Sequence, residues 1–294
     1  MDVGYVGLGA MGGALARRLQ QSRKLRVFDL KPQAVSALAA VGAVAAQSPA
    51  ALAAQSDLVL TCLPTSNEVR QAIFAEDGIA SGLKQGGLIA DMTTGDPIAT
   101  RRMAEELKER GITLIDAPVS GGPHGALAGT IAIMVGAPDA LYEKVAPVFR
   151  QISPNVFHCG GVGNGHTMKL VNNVIAAGCR QVTFEAVAMG VKNGLGLKTC
   201  MEVLNKSSGK TYTSEYTLGR LLDGSIKANF TIALMLKDVR LATQLGQDSQ
   251  APMPLAGLVR EVLLSAFNEQ GGESDINELI TRYEKAAKVK VANR

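Results

Sequence analysis

One ammonium stands apart in this chain. Between Arg150 and Arg180 the only formally charged side chain is Lys169, set in GVGNGHTMKLVNN at residues 161–173. Asn173 follows it by four residues, so a helix through this stretch puts amine and amide on one face. An amine held away from counter-ions gives up its proton more readily, because burial disfavours the charged form. Such a group can take the hydroxyl proton of an alcohol as hydride leaves the carbon, and can return it in the reverse direction. A snorkelling lysine at a helix start is the plainer reading of the same residues.

A second candidate site lies near the N-terminus. VGYVGLGAMGGALARRL holds Gly7, Gly9 and Gly12 in GxGxxG spacing, with Leu8, Ala10 and Met11 between them. The run leaves an apolar strand and opens a helix, and Asp29 closes the next apolar run. That is the arrangement of a dinucleotide site. Gly7 allows a tight turn, Gly9 lets backbone approach a pyrophosphate, and Gly12 lets helix and strand pack closely. The helix N-terminus offers unbonded N–H groups to the phosphates. A carboxylate at Asp29 accepts from ribose hydroxyls and repels a 2′-phosphate, favouring NAD, while Lys31 offsets part of that repulsion and leaves NADP possible.

These residues need elements to hold them. Before residue 160, VGYVGLG, LRVFDL, DLVLTCLP and GGLIADMT each precede a helical pattern, and ITLIDAPVS and TIAIMVG read as further strands. Strands alternating with helices imply a parallel sheet with right-handed crossovers. After residue 165 the strand signals stop. The stretch HTMKLVNNVIAAGCRQVTFEAVAMGVKNG is apolar around most of its circumference, which predicts a helix buried on all sides, in the molecule's middle or in a subunit interface. Further helices are expected at roughly 198–207, 211–222, 231–247, 254–269 and 275–288, with Asp275 and Glu278 as a capping pair for the last. HCGGVGNG is the natural junction, giving an α/β dinucleotide-binding domain over 1–162 and an all-α domain over 163–294.

Composition excludes several classes. The 294 residues suffice for two cores, and with no Trp and 4% aromatics those cores must be aliphatic. A net charge of +4 without basic blocks gives nucleic-acid binding little support. Val3 to Ala16 is too short and glycine-rich to span a bilayer, and an acidic start with arginines after the apolar run is not a signal peptide. Cys62, Cys159, Cys179 and Cys200 lack CxxC spacing and read as reduced cytoplasmic thiols. His124, His158 and His166 lack ligand spacing, so no metal is expected. His124 and His166 read as a cap or solvent contacts rather than acid–base groups.

Three motifs join the glycine loop in order: DAPVSGG (Asp116 to Gly122), GVGNGHTMKLVNN, and LMLKDVRLA (Leu234 to Ala242). With them the chain resembles the β-hydroxyacid dehydrogenases, the family of 3-hydroxyisobutyrate dehydrogenase and tartronate semialdehyde reductase, over nearly its whole length. The resemblance implies a Rossmann-like N-terminal domain, a long connecting helix, an all-α C-terminal domain, and dimers or tetramers. It implies a nicotinamide cofactor and a small hydroxy acid or semialdehyde as substrate. By motif, Lys169 matches the catalytic lysine and Asn173 its companion. Ser120, Gly121 and Gly122 match the substrate-carboxylate loop, while Asn172 is expected to point elsewhere as a structural partner. Leu63, Pro64 and Thr94 match positions lining the dinucleotide. Lys237, which beside Asp238 could be a surface pair, matches a lysine near the cofactor. Ala14 to Leu19 departs from the family's usual Pro-Met-Ala-x-Asn-Leu. An imine- or amine-forming oxidoreductase of the same architecture and a non-catalytic nicotinamide-binding regulator are the alternatives.

Overall fold

The computed structural model describes residues 1–293 and divides into two compact units, Met1–Lys169 and Leu170 onward. In the first unit, short aliphatic runs make six parallel strands: β1 (Val3–Val6), β2 (Leu25–Phe28), β3 (Val44–Ala45), β4 (Leu58–Thr61), β5 (Leu88–Asp91) and β6 (Thr113–Asp116). Their order is β3-β2-β1-β4-β5-β6. The winding reverses between β1 and β4, which opens a crevice at the C-terminal ends of those strands. β1, β4 and β5 are buried along their whole length, so they read as unbroken apolar runs. Apolar cores lie on both faces of the sheet, one around Leu15, Leu25 and Phe149, the other around Leu52, Ile73 and Leu107.

TIAIMVG does not join that sheet. It forms β8 (Ala132–Val135), antiparallel to β7 (Val119–Ser120) and parallel to β9 (Val156–His158), in a separate three-stranded sheet. One antiparallel bridge, Asp116 to Gly136, links it to the end of β6.

The long helix runs from Asn164 to Lys192. Its 18-residue window of mean hydropathy 1.3 is long and apolar enough by composition to cross a membrane, and 44% of that window is buried. Within the described chain it is not buried on all sides. Ala177, Phe184, Val187 and Ala188 enter the core of the helical unit, but Met168, Val171, Ile175, Val182 and Met189 are exposed. Apolar character specifies burial without specifying what does the burying.

The remaining helices are Leu197–Leu204, Leu218–Asp223, Ile232–Asp248, Pro254–Gln270 and Ile280–Ala287. The helix expected from 211 opens instead as a π-helical turn, Thr213–Thr217. The one expected from 275 opens as a 3₁₀ turn, Ile276–Leu279. Asp275 caps that turn alone: its carboxylate accepts from Asn277 N at 2.9 Å and from Ala228 N and Asn229 N at 2.8 Å. The reciprocal bond from Glu278 is not formed among the described residues. Asp275 is held instead by the loop that precedes the Ile232–Asp248 helix.

Candidate functional site

At the C-terminal edge of the parallel sheet the glycine loop takes the shape its spacing predicts. Gly7 has φ +92°, a conformation costly for any side chain. A Cβ on Gly12 would stand 2.0 Å from Gly7 O, so helix and turn can only meet this closely at a glycine. Gly9, at the N-cap of the first helix (Ala10–Gln20), makes no side-chain cap bond, which leaves first-turn N–H groups for an anion. A Cβ there would meet nothing within 4 Å and would fill the space a phosphate needs. Leu8, Gly9 and Ala10 line an open pocket of about 360 Å³ together with Arg17. Asp29 Oδ2 accepts from Leu8 N at 2.6 Å and Oδ1 from Lys31 N at 2.7 Å, so the carboxylate is fixed beside the turn. These residues fit a dinucleotide, with the pyrophosphate on the turn and a ribose at Asp29.

Two further strand ends brace this edge. Thr93, one residue before the expected Thr94, accepts from Leu63 N at 3.0 Å through Oγ1. Leu63 is half-buried and Pro64 exposed on the same loop. Asp91, fully buried, accepts from Thr61 Oγ1 at 2.9 Å and Thr93 N at 3.0 Å, and its Oδ2 lies 3.3 Å from His166 Nε2. Burial pushes the Asp91 carboxyl up, but His166 and the Thr93 bonds outweigh it and hold it below the usual range. His166 is therefore neither a solvent contact nor a side-chain cap, as its sequence position predicted, but a buried brace with no exposed surface. His124 is exposed.

Asp116 sets the start of the long helix. Its two carboxylate oxygens accept from Gly163 N at 2.6 Å and His166 N at 2.7 Å, taking donors the helix cannot satisfy internally. Burial raises this carboxyl above the usual range, against the pull of His166 and the two N–H groups. Gly165 must be glycine here, since a Cβ would stand 2.2 Å from Met134 O. Lys169 follows one turn into this braced segment and is 8% exposed. In the same unit, Ser120 ends β7, and Gly121 and Gly122 follow with φ of +136° and +68°, a turn open only to glycine.

In the helical unit, Asn173 is buried and its amide is fixed at both ends. Nδ2 donates to Asp238 Oδ2 at 2.5 Å, and Oδ1 accepts from Asn172 Nδ2 at 2.9 Å. Asn172 thus turns toward Asn173 and serves as its structural partner. Asp238, 2% exposed, also takes Lys237 Nζ at 3.0 Å on Oδ1. Lys237 and Asp238 are consequently no surface pair: a buried carboxylate joins Lys237 to Asn173. Asp91, Thr93, Asp116 and Asp238 all escaped sequence reasoning. For Asp116 and Asp238 the signal was at hand, since each lies inside a motif already singled out.

The match with known proteins agrees with this geometry. Residues 2–161 match the model described as the NAD-binding domain of 6-phosphogluconate dehydrogenase. Residues 163–283 match the NAD-binding of NADP-dependent 3-hydroxyisobutyrate dehydrogenase. A 2-(hydroxymethyl)glutarate dehydrogenase of Eubacterium barkeri is 36% identical over 99% of this chain and 98% of that protein. A 3-hydroxyisobutyrate dehydrogenase of Pseudomonas aeruginosa is 34% identical over 89% of this chain and 90% of its own length. Among solved structures, a Mycobacterium tuberculosis 3-hydroxyisobutyrate dehydrogenase with L-serine superposes with a TM-score of 0.87 at 26% identity, covering 96% of this chain and 98% of that one. The chain belongs to the β-hydroxyacid dehydrogenase family and is an NAD(P)-dependent oxidoreductase.

Proposed function

We propose that this enzyme oxidises the β-hydroxyl of a short hydroxy acid, or reduces the matching semialdehyde, with Lys169 as the general base and acid. The observation that carries the reading is the burial of Lys169 one helical turn before an asparagine whose amide is locked by Asp238. A dinucleotide bound at the glycine loop and Asp29 supplies the hydride acceptor or donor. The chain's own groups do the rest. Lys169 takes the hydroxyl proton as the C–H bond breaks, which spares the substrate an unstable alkoxide. In reduction the same group, as ammonium, returns a proton to the new hydroxyl oxygen. Asn173 orients the hydroxyl, and its own orientation is fixed because Asn172 and Asp238 claim opposite ends of its amide. Ser120, Gly121 and Gly122 offer a hydroxyl and backbone N–H groups to the substrate carboxylate. Leu63, Pro64, Thr94 and Lys237 flank the cofactor, with Asp29 favouring NAD over NADP.

The exposed residues Met168, Ile175, Val182 and Met189 recur every seven positions along the long helix, as a seam between two helices would. A homo-oligomer in the cytoplasm, closed over this stripe, is the form in which we expect the enzyme to work. The function is tested by following NADH formation with a panel of 3-hydroxy acids and both cofactors. Saturable turnover with at least one acid, faster with NAD, is expected. Turnover with none, at cofactor concentrations shown to saturate binding, would refute it.

A further inference from the structure

Two turns beyond Asn173 the long helix carries another charged group, Arg180. Seven residues return a helix to nearly the same face, roughly 10 Å further along its axis. Arg180 is 6% exposed. Its hydrogen bonds, to Asn277 Oδ1 and to Thr217 Oγ1 at 3.4 Å, both leave from Nη1. Nε is buried and has no hydrogen-bond partner among the described residues. Among the described residues no carboxylate lies within 4.0 Å of the guanidinium. Asp275 attracts it from farther off, but that carboxylate is committed to three backbone N–H groups, and Arg220 repels it. Burial pushes Arg180 down to about 10, against Tyr212 and Asp275, so it remains charged at neutral pH.

The ties to Asn277 and Thr217 occupy Nη1 alone. One turn to either side, Ala177 and Phe184 belong to the apolar core, and an aliphatic side chain would avoid burying an uncompensated charge. The open Nε edge of a guanidinium is the edge that takes a carboxylate in a two-point fork. Thr217 closes the π-helical turn whose Thr213 and Ser214 are also buried, so the surroundings on that side are polar. π-turns of this kind are frequent at functional sites.

We propose that Arg180 receives a second, distal carboxylate of the substrate, making the preferred substrates β-hydroxy acids whose side arm ends in an acidic group. This rests on the function proposed above, which puts the reacting hydroxyl at Lys169 and Asn173. Side chains lean toward a helix's N-terminus, so part of the two-turn separation is spanned by Arg180 itself and the remainder by an arm of a few carbons.

The test compares 3-hydroxypropanoates bearing a 2-(2-carboxyethyl) arm with the isosteric 2-(2-carbamoylethyl) arm, in the parent and in Arg180→Met and Arg180→Lys. The parent is expected to prefer the acid over the amide in kcat/KM by on the order of tenfold to a hundredfold, the worth of a charged hydrogen-bonded contact. Arg180→Met should bring that ratio close to one, and Arg180→Lys, charged but without the fork, should leave an intermediate value. An acid-to-amide ratio unchanged in Arg180→Met, even with both rates lowered, makes Arg180 a structural tie to Asn277 and overturns the proposal. So does a parent without preference for the acid. Should no 3-hydroxypropanoate be oxidised, the function proposed above fails, while the same ratio read as calorimetric affinities still decides the role of Arg180.

Discussion

Buried charge is handled differently in the two units. At the sheet edge, Asp91 engages Thr61, Thr93 and His166 from different segments, and Asp116 holds the start of the long helix through Gly163 and His166. That cluster is bracing: it fixes where the long helix starts and so where Lys169 stands. In the helical unit, Asp238 gathers Asn173 and Lys237, while Arg180 keeps a buried Nε without a hydrogen-bond partner among the described residues. The sheet-edge carboxylates draw their partners from their own unit, whereas the open donor edge of Arg180 is, on our proposal, completed by a ligand.

Three substitutions press on that distinction, in falling order of effect. Lys169→Ala should lower kcat by about a thousandfold, the usual scale of a lost general base, while fluorescence titration shows NADH still bound. Parent-like turnover would move Lys169 into the bracing group. Asp238→Asn keeps shape but removes the negative charge that Asn173 and Lys237 share. Steady-state kinetics should show kcat/KM lower by about tenfold to a hundredfold, matching the loss of one charged hydrogen bond, about 1.5–3 kcal/mol. Parent-like kinetics would make Asp238 a bystander.

Asp91→Asn should change turnover least and reveal itself in stability against pH. The folded Asp91 carboxyl sits below its ordinary value of 3.8, so its contribution is present above that value and is lost as pH falls through the folded one. The gap in Tm between parent and variant should be wide at pH 7 and narrow on acidification below about pH 4. Asp116, raised by burial, has the opposite sign: its contribution is present below the ordinary value and lost as pH rises through the folded one. Equal Asp91→Asn gaps at pH 7 and pH 3 would contradict the bracing role.

The glycine loop and Asp29 were legible because close backbone approach leaves glycine little choice at fixed spacing. That Lys169 and Asn173 lie one turn apart on a helix was legible because that relation is local. Asp91, Asp116 and His166 were not, since they meet only when the ends of β5 and β6 converge on the start of the long helix, up to 75 residues away in sequence. The Lys237–Asp238 pair was visible, but adjacency in sequence says nothing about burial. β3, two exposed residues long, has no alternation to detect. A five-residue π-turn at Thr213–Thr217 is too short for its wider period to differ from an α-helix. The exposed stripe on the long helix reads as core in the sequence, yet no segment of the described chain covers it.

The proton transfer assigned to Lys169 is tested most directly by the pH dependence of kcat/KM for alcohol oxidation, in the parent and in Lys169→Ala. The parent rate should climb with pH as one base loses its proton, and the slow residual rate of the variant should be flat over the same range. An ascending limb that survives unchanged in Lys169→Ala would mean that another group takes the proton, and the assignment of this site would be wrong.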